Sequence, residues 1–442
     1  MNRARTLLIA AALCAIAAAP LFATGEEEAS TASAAADNPW TGGQDLSGAT
    51  VNVFGAFVDV DAERFDASMA PFEEQTGIDI VYEGSGDFES LVVIRAEGGD
   101  PPDIAAFPQP GLMADMVRRG FIVDLSESFS MDYLQQQYSD ARIDLSRVDG
   151  TIAGVWYRAS LKSLVWYAKP VFEAEGYEIP ETWDELVALS EQMAADGHVP
   201  WSIGIESSGA TGWVATDWIE DIMLRTATPE QYDAWTRGEL PFDSPEVRRA
   251  IEIMGEIWFR DDFVLGGRSA ILTVPFGDAA TPLVQDPPRA LMHRQATFIA
   301  GFLPESAQEQ IGEVIDVFYL PPIDAEEGRA ALGAGDILSA FNDDPATLAV
   351  MRWLASGEST RVWAGFGGFV APHKDAKIEW HGSYVDQKAA QIIQNADTFR
   401  FDGSDLMPGA VGAGTFWTGV VDYISGEELG SVLAKIDASF PR

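Results

Sequence analysis

Past position 46 the apolar positions of the chain recur with two periods in turn. Val51 and Val53 flank Asn52 ahead of Phe54, a period of two that predicts a strand. Phe65, Met69 and Phe72 follow at helical spacing, and Gly77 supplies the stop. Ile78-Asp79-Ile80-Val81-Tyr82 predicts a second strand, Phe88, Leu91, Val92 and Arg95 a second helix, and Asp103-Ile104-Ala105-Ala106-Phe107 a third strand. Alternating strands and helices predict a parallel sheet, because parallel neighbours need crossovers. Such sheets bind ligands beyond the carboxyl ends of their strands, which puts residues 54–59, 83–87 and 107–110 on one rim.

The stretch 149–170, DGTIAGVWYRASLKSLVWYAKP, reads as two buried strands, Gly154-Val155-Trp156-Tyr157 and Ser163-Leu164-Val165-Trp166-Tyr167. The insert between them is too short for a crossover helix, so the chain leaves one layer here and enters another. Arg158 and Lys162 border this crossing, which suits a bendable cleft between lobes as well as a plain core strand with a charged turn. Thr182-Trp183-Asp184-Glu185 is a capping box opening a helix that Gly197 ends. Residues 200–205 and 270–276 read as extended, residues 216–224 and 246–259 as helical, and residues 291–298 as a strand with a polar centre. Val317-Phe318-Tyr319-Leu320, stopped by Pro321 and Pro322, predicts a second crossing. Gly367-Gly368-Phe369-Val370 predicts a third, after a run over 332–340 and a helix around Leu348, Met351 and Leu354.

A chain of 442 residues exceeds a single core and suits two lobes. Its net charge of −41 repels nucleic acid and anionic membranes as partners. Basic residues before an apolar run over 7–19 read as a cleaved secretory leader, residues 1–23, too short to span a membrane. Residues 24–45, rich in small and acidic side chains, read as a flexible tether. The single cysteine, Cys14, lies inside the leader, so a chain cleaved there has no disulfide and no thiolate ligand.

Hydrolase, phosphate-loop, dinucleotide and zinc-protease motifs are absent from the sequence, and the four histidines are scattered. No cofactor or metal is expected. What stands out is a set of aromatics beside single polar groups in predicted loops: Trp156 with Arg158, Trp213 with Asp217, Arg294-Gln295, and Phe416-Trp417. A sugar needs this mixture, since its C–H face stacks on a ring and its hydroxyls bond to polar groups. Thirteen tryptophans also fill cores, and it is their position at strand exits that favours a site.

Gly98-Gly99-Asp100-Pro101-Pro102-Asp103-Ile104, the D-G-x-x-x-G-V run from Asp149, Gly204-Ile205-Glu206 with Thr211-Gly212-Trp213, and Leu406-Met407-Pro408-Gly409-Ala410-Val411 together resemble the family 1 extracellular solute-binding proteins of ABC importers. The likeness is to the maltose-binding type, and within it to the α-glucoside branch. It implies an α/β, two-lobed flytrap with hinge strands, residues 46–155 plus 333–370 forming lobe one and residues 156–332 plus 371–442 lobe two. It also implies an exported, monomeric, non-enzymatic receptor for a sugar, served by membrane permease subunits. Carried over by position, Phe107 borders the sugar, Glu206 bonds it and Trp417 stacks on it. Gln109, Trp156, Arg158, Lys162, Trp213, Asp217, Asp278, Arg294, Gln295 and Asp336 fall in cleft-facing segments. Gln109-Pro110 departs from the Asp-Arg type of pair of maltose-binding proteins, against maltose itself. A secreted carbohydrate-active enzyme, a polyamine receptor and a glycerol phosphate receptor remain the competing readings.

Overall fold

The structure is a computed structural model describing residues 38–394 and 397–441. The expected leader, residues 1–23, lies outside the described residues, as does residues 24–37 of the expected tether. Packed chain begins before Leu46: the Trp40 ring meets Trp353 edge-on at 5.2 Å, and Arg352 donates to the Trp40 carbonyl at 3.0 Å.

Strand β1 (Thr50–Gly55), helix α1 (Val60–Thr76), β2 (Asp79–Gly84), α2 (Phe88–Gly98) and β3 (Ile104–Phe107) alternate as the two periods predict. β1 runs parallel to β2 and β3. Gly77 ends α1 with φ 70°, in the left-handed region open to glycine. Helix α3 (Pro110–Arg118) follows, then a hairpin of β4 (Arg147–Val148) and β5 (Thr151–Ile152) whose turn holds Asp149 and Gly150 at positive φ.

Two strands carry the chain between lobes. β6 (Val155–Leu161) starts with Val155 and Trp156 in the core of β1 to β3 and ends with Leu161 in a cluster of the other lobe. β7 (Leu164–Tyr167) then pairs antiparallel with β8 (Met292–Arg294) and β9 (Asp316–Tyr319) in a small sheet. β10 (Ala330–Ala340) returns along β6, its Leu332 buried in the second lobe and its Ile337 and Leu338 in the first. The pairing slips by a residue between Asp336 and Ile337, a bulge of the kind that bends a strand. β10 also pairs with β3 at one end and with β11 (Thr398–Phe401) at the other. Beside them Ala159 and Val370 exchange backbone bonds at 3.0 and 2.7 Å, so three extended segments run together between the cores.

The second crossing is therefore β10. The run 317–320 is β9, paired inside the second lobe, where the Leu320 and Pro321 carbonyls accept from buried Arg225. Residues 270–276 are not extended: they leave a helical turn (Arg268–Ile271) for the 3₁₀ turn Phe276–Asp278. Residues 200–205 form isolated bridges at Trp201 only, and β8 covers three residues of the strand expected over 291–298. Gly412 and Gly414 lie in a wide helical turn (Ala410–Phe416) that leads into the helix Trp417–Ser425.

Candidate functional site

A cavity of about 170 Å³ opens between the lobes. Segments past the ends of β1, β2 and β3 supply Phe57, Ser85 and Gln109, as the rim positions predict, the first turn of α2 adds Glu89, and β6 and β10 supply Arg158 and Asp336. The second lobe answers with Lys162, Ser207, Trp213, Asp405 and Trp417.

Both cations of the wall are held by paired acids. Arg158 donates to Asp336 and, at 2.8 Å, to Asp61, and it lies over the Phe57 ring at 4.1 Å and the Trp363 ring at 4.8 Å. Burial works against its charge, yet Asp336 and Asp61 outweigh burial and hold it firmly protonated. Lys162 donates to Asp217 at 2.7 Å and to Asp402, with Trp213 5.4 Å from its ammonium. Beneath it Arg294 bonds Asp221 at 2.7 Å, and Glu220 accepts the Gly403 and Ser404 amides at 3.0 and 2.9 Å. Asp217, Glu220 and Asp402 sit close enough to hold a cation, but the Lys162 ammonium already bonds two of them. Burial pushes Asp217 and Glu220 upward, while Asp402 stays below the usual carboxylate range because Lys162 and its neighbours outweigh the burial.

The other polar groups are less committed. Gln109 Nε2 donates to Glu89 Oε1 at 2.9 Å, which leaves the buried Gln109 Oε1 without a donor. Burial pushes Glu89 up to about 7 and Asp405 well above the ordinary carboxyl value. Trp417 Nε1 is buried without an acceptor. The second-lobe wall is a cluster of rings: Trp213 meets Phe276 at 5.2 Å and Phe298 at 5.9 Å, and Phe302 meets Phe276 at 5.2 Å.

Gln109, Arg158, Lys162, Trp213, Asp336 and Trp417 thus come together at the cavity. The remaining expected site residues are not in its lining. Phe107 is fully buried against Phe88 and Phe341, because the last residue of β3 still points into the first-lobe core. Trp156 is a core ring whose Nε1 donates to the Arg142 carbonyl at 2.7 Å. Asp217, Arg294 and Gln295 lie behind Lys162 as buried support. Glu206 turns back to accept the Ser208 amide at 2.9 Å, and Asp278 is exposed beyond Phe276. Sequence reasoning missed Asp61, Glu89, Asp402 and Asp405, which nothing distinguishes among 69 acids, and the rings of Phe57, Phe276, Phe298 and Phe302. Phe298 and Phe302, four apart in an apolar run, carried the one available signal.

Known proteins of similar sequence and shape fit this geometry. Residues 55–274 match the model of the bacterial extracellular solute-binding protein family. The chain is 46% identical over 392 residues to the osmoprotective compounds-binding protein GgtB of Synechocystis sp., spanning 89% of this chain and 92% of that one. It is 41% identical over 409 residues to the alpha-glucosides-binding periplasmic protein AglE of Rhizobium meliloti, spanning 90% and 88%. The maltose-bound MalE3 structure of T. maritima superposes with a TM-score of 0.69 at 17% identity, covering 88% of this chain and 98% of that one. The galactose receptor AcbH superposes with a TM-score of 0.76 at 17% identity, covering 88% and 97%, and these two likenesses speak for the fold alone. With two lobes, strands crossing between them, an interlobe cavity and relatives of this identity, the chain belongs to the bacterial extracellular solute-binding proteins, the solute-binding components of ABC importers, and not to an enzyme family.

Proposed function

We propose that this protein is the exported receptor for a small neutral glycoside, an α-glucoside or a related osmoprotective solute, which it hands to a membrane permease. The observation that carries this reading is the make-up of the cavity: aromatic rings on one wall and, from both lobes, hydrogen-bonding groups on the other. A sugar ring laid against Trp213 or Trp417 stacks its C–H face and turns its hydroxyls to the polar rim. The names of GgtB and AglE support the same solute classes. Residues 46–155 with 333–370, and 156–332 with 371–442, act as the two jaws, with β6, β10 and the segment at Val370 as the hinge. A solute touching both jaws binds the closed form better than the open one and so shifts the population toward it.

A glycerol phosphate receptor would need a cation free to meet the phosphate, and Arg158 and Lys162 are each already held by two carboxylates. Among the described residues no helix is long and apolar enough to cross a membrane.

The test is a thermal-shift and tryptophan-fluorescence screen of the chain starting at Thr24 against trehalose, sucrose, maltose, larger α-glucans, spermidine and glycerol 3-phosphate. Stabilisation by a neutral glucoside, with the sugar recovered unchanged, is the expected result. A response to spermidine or glycerol 3-phosphate alone, or turnover of the sugar, overturns the reading.

A further inference from the structure

The polar lining of the cavity divides into groups that have protein partners and groups that lack them. Arg158 and Lys162 with their carboxylates form closed ion pairs inside the wall. Beside the Trp417 Nε1, a donor without an acceptor, three acceptor groups at one corner have hydrogen-bonding capacity that the protein does not fill. Gln109 Oε1 is buried without a donor, because Nε2 is committed to Glu89. Glu89 has Gln109 as its side-chain partner and no cation beside it. The Asp405 carboxylate, in a residue only 6% exposed, accepts no hydrogen bond among the described residues; its backbone N–H alone is engaged, with Asp402 Oδ1 at 3.1 Å. Burial first, then the charges of Asp402, Lys162 and Asp217, and last that of Glu89 bear on Asp405. The corner is assembled from both lobes: Glu89 stands on α2 and Gln109 caps α3, while Asp405 stands on the short helix Gly403–Leu406, whose following Gly409 amide donates to Asp115 of α3 at 2.8 Å.

A buried acceptor without a donor is costly, and native proteins leave few of them. All three groups here accept hydrogen bonds and open on the same cavity, so the donors must come with the solute. We infer that Glu89, Gln109 and Asp405 are the specificity-determining groups of the site, orienting an uncharged glycoside through adjacent hydroxyls and rejecting anionic sugars. Hydroxyl groups on neighbouring carbons donate outward from one ring edge and so match acceptors supplied by two lobes. A sugar phosphate or a uronate brings negative charge to a corner where burial and the neighbouring acids already resist the ionisation of Asp405, with no free cation to offset it. This inference rests on the carbohydrate reading above.

The experiment is isothermal titration calorimetry at pH 7 with the best neutral glucoside of the screen, glucose 6-phosphate and glucuronic acid as probes. The wild-type chain is compared with Asp405→Asn, Gln109→Leu and the Glu89→Gln/Asp405→Asn double variant. Asp405→Asn and Gln109→Leu are each expected to weaken the neutral ligand at least tenfold. The double variant is expected to narrow the preference for neutral over anionic sugar at least tenfold, a change in selectivity that a general loss of stability would not produce. Melting without ligand is expected to be unchanged or raised in Asp405→Asn. Variants that bind like the wild type, or a wild type that binds glucose 6-phosphate as tightly as the neutral sugar, overturn the assignment while the carbohydrate reading stands. A wild type that binds no sugar in the panel overturns the carbohydrate reading, and the assignment with it.

Discussion

The Asp87 carboxylate accepts the Gly209 amide at 2.9 Å, tying the N-terminus of α2 in the first lobe to a loop of the second across the mouth of the cleft. Asp87 is the N-cap of α2 but does not cap its own helix with its side chain; it reaches across instead. Gly209 admits the carboxylate because a Cβ there would stand 2.5 Å from Asp87 Oδ1. The neighbouring Ser208 holds φ 49°, a left-handed conformation that is unfavourable for serine, with its amide donating to Glu206 at 2.9 Å and its carbonyl accepting from the Thr211 hydroxyl at 2.7 Å.

Loss of this latch should therefore show in release of the solute. A hydrogen bond to a charged carboxylate contributes about 1.5–3 kcal/mol, and solvent exposure here holds it to the lower end, so Asp87→Ala is predicted to speed dissociation about tenfold while association changes little. Stopped-flow tryptophan fluorescence separates the two rates, and an effect confined to association would contradict the prediction.

Arg158 is predicted to act on stability before it acts on binding. Replacing it with Met leaves Asp336 buried without its cation and Asp61 with only Arg64, at 3.8 Å, and breaking a buried pair this way costs about 3–5 kcal/mol. Chemical denaturation of the unliganded protein should show a loss of that order. Removing all three together, as Asp61→Asn/Arg158→Met/Asp336→Asn, should recover part of it.

Glu89 predicts a pH dependence of a definite sign. Burial raises it from 4.5 to about 7, so between those values the folded chain keeps a proton that the unfolded chain has lost. The folded state binds more protons in that window, and the contribution of Glu89 to stability falls as pH rises from 4.5 to about 7. Asp386, raised by burial to about 7, acts the same way. Buried His293, pushed down to about 4, acts oppositely between 4 and 6.5, because there the unfolded state takes up the proton. Melting of Glu89→Gln relative to the wild type isolates this contribution: the variant should gain on the wild type from pH 5 to about pH 7 and level off above it. A difference independent of pH would contradict the assignment.

Trp213 is half-buried, with one side against Phe276 and Phe298 and the other toward the cavity. Trp213→Ala is predicted to weaken sugar binding tenfold or more and to reduce the fluorescence response to ligand, while Trp213→Phe keeps most of the affinity. Fluorescence and calorimetric titration of the two variants check the ordering.

Local pattern was enough to establish the parallel β1, β2 and β3 unit, the rim past its strand ends and the crossing at β6, since periodicity and turn residues are written within ten residues of where they act. It also carried the family, through motifs spread along the chain. β10 was harder to read as a crossing because its Gly333 and Gly335 interrupt the apolar run, while β9 shows a cleaner run that serves only the second lobe. The fate of each polar side chain was decided elsewhere. Arg158 and Lys162 look alike as bare cations in the sequence, and whether they face solute or carboxylate depends on Asp61, Asp217, Asp336 and Asp402, brought in from up to 240 positions away. Glu89 and Asp405 are unremarkable acids in the chain. They become candidate ligand groups only when two lobes bring them to one corner, where Asp405 has no donor and Glu89 has only Gln109 Nε2, because hydrogen-bond satisfaction belongs to the assembled interior and not to any segment of it.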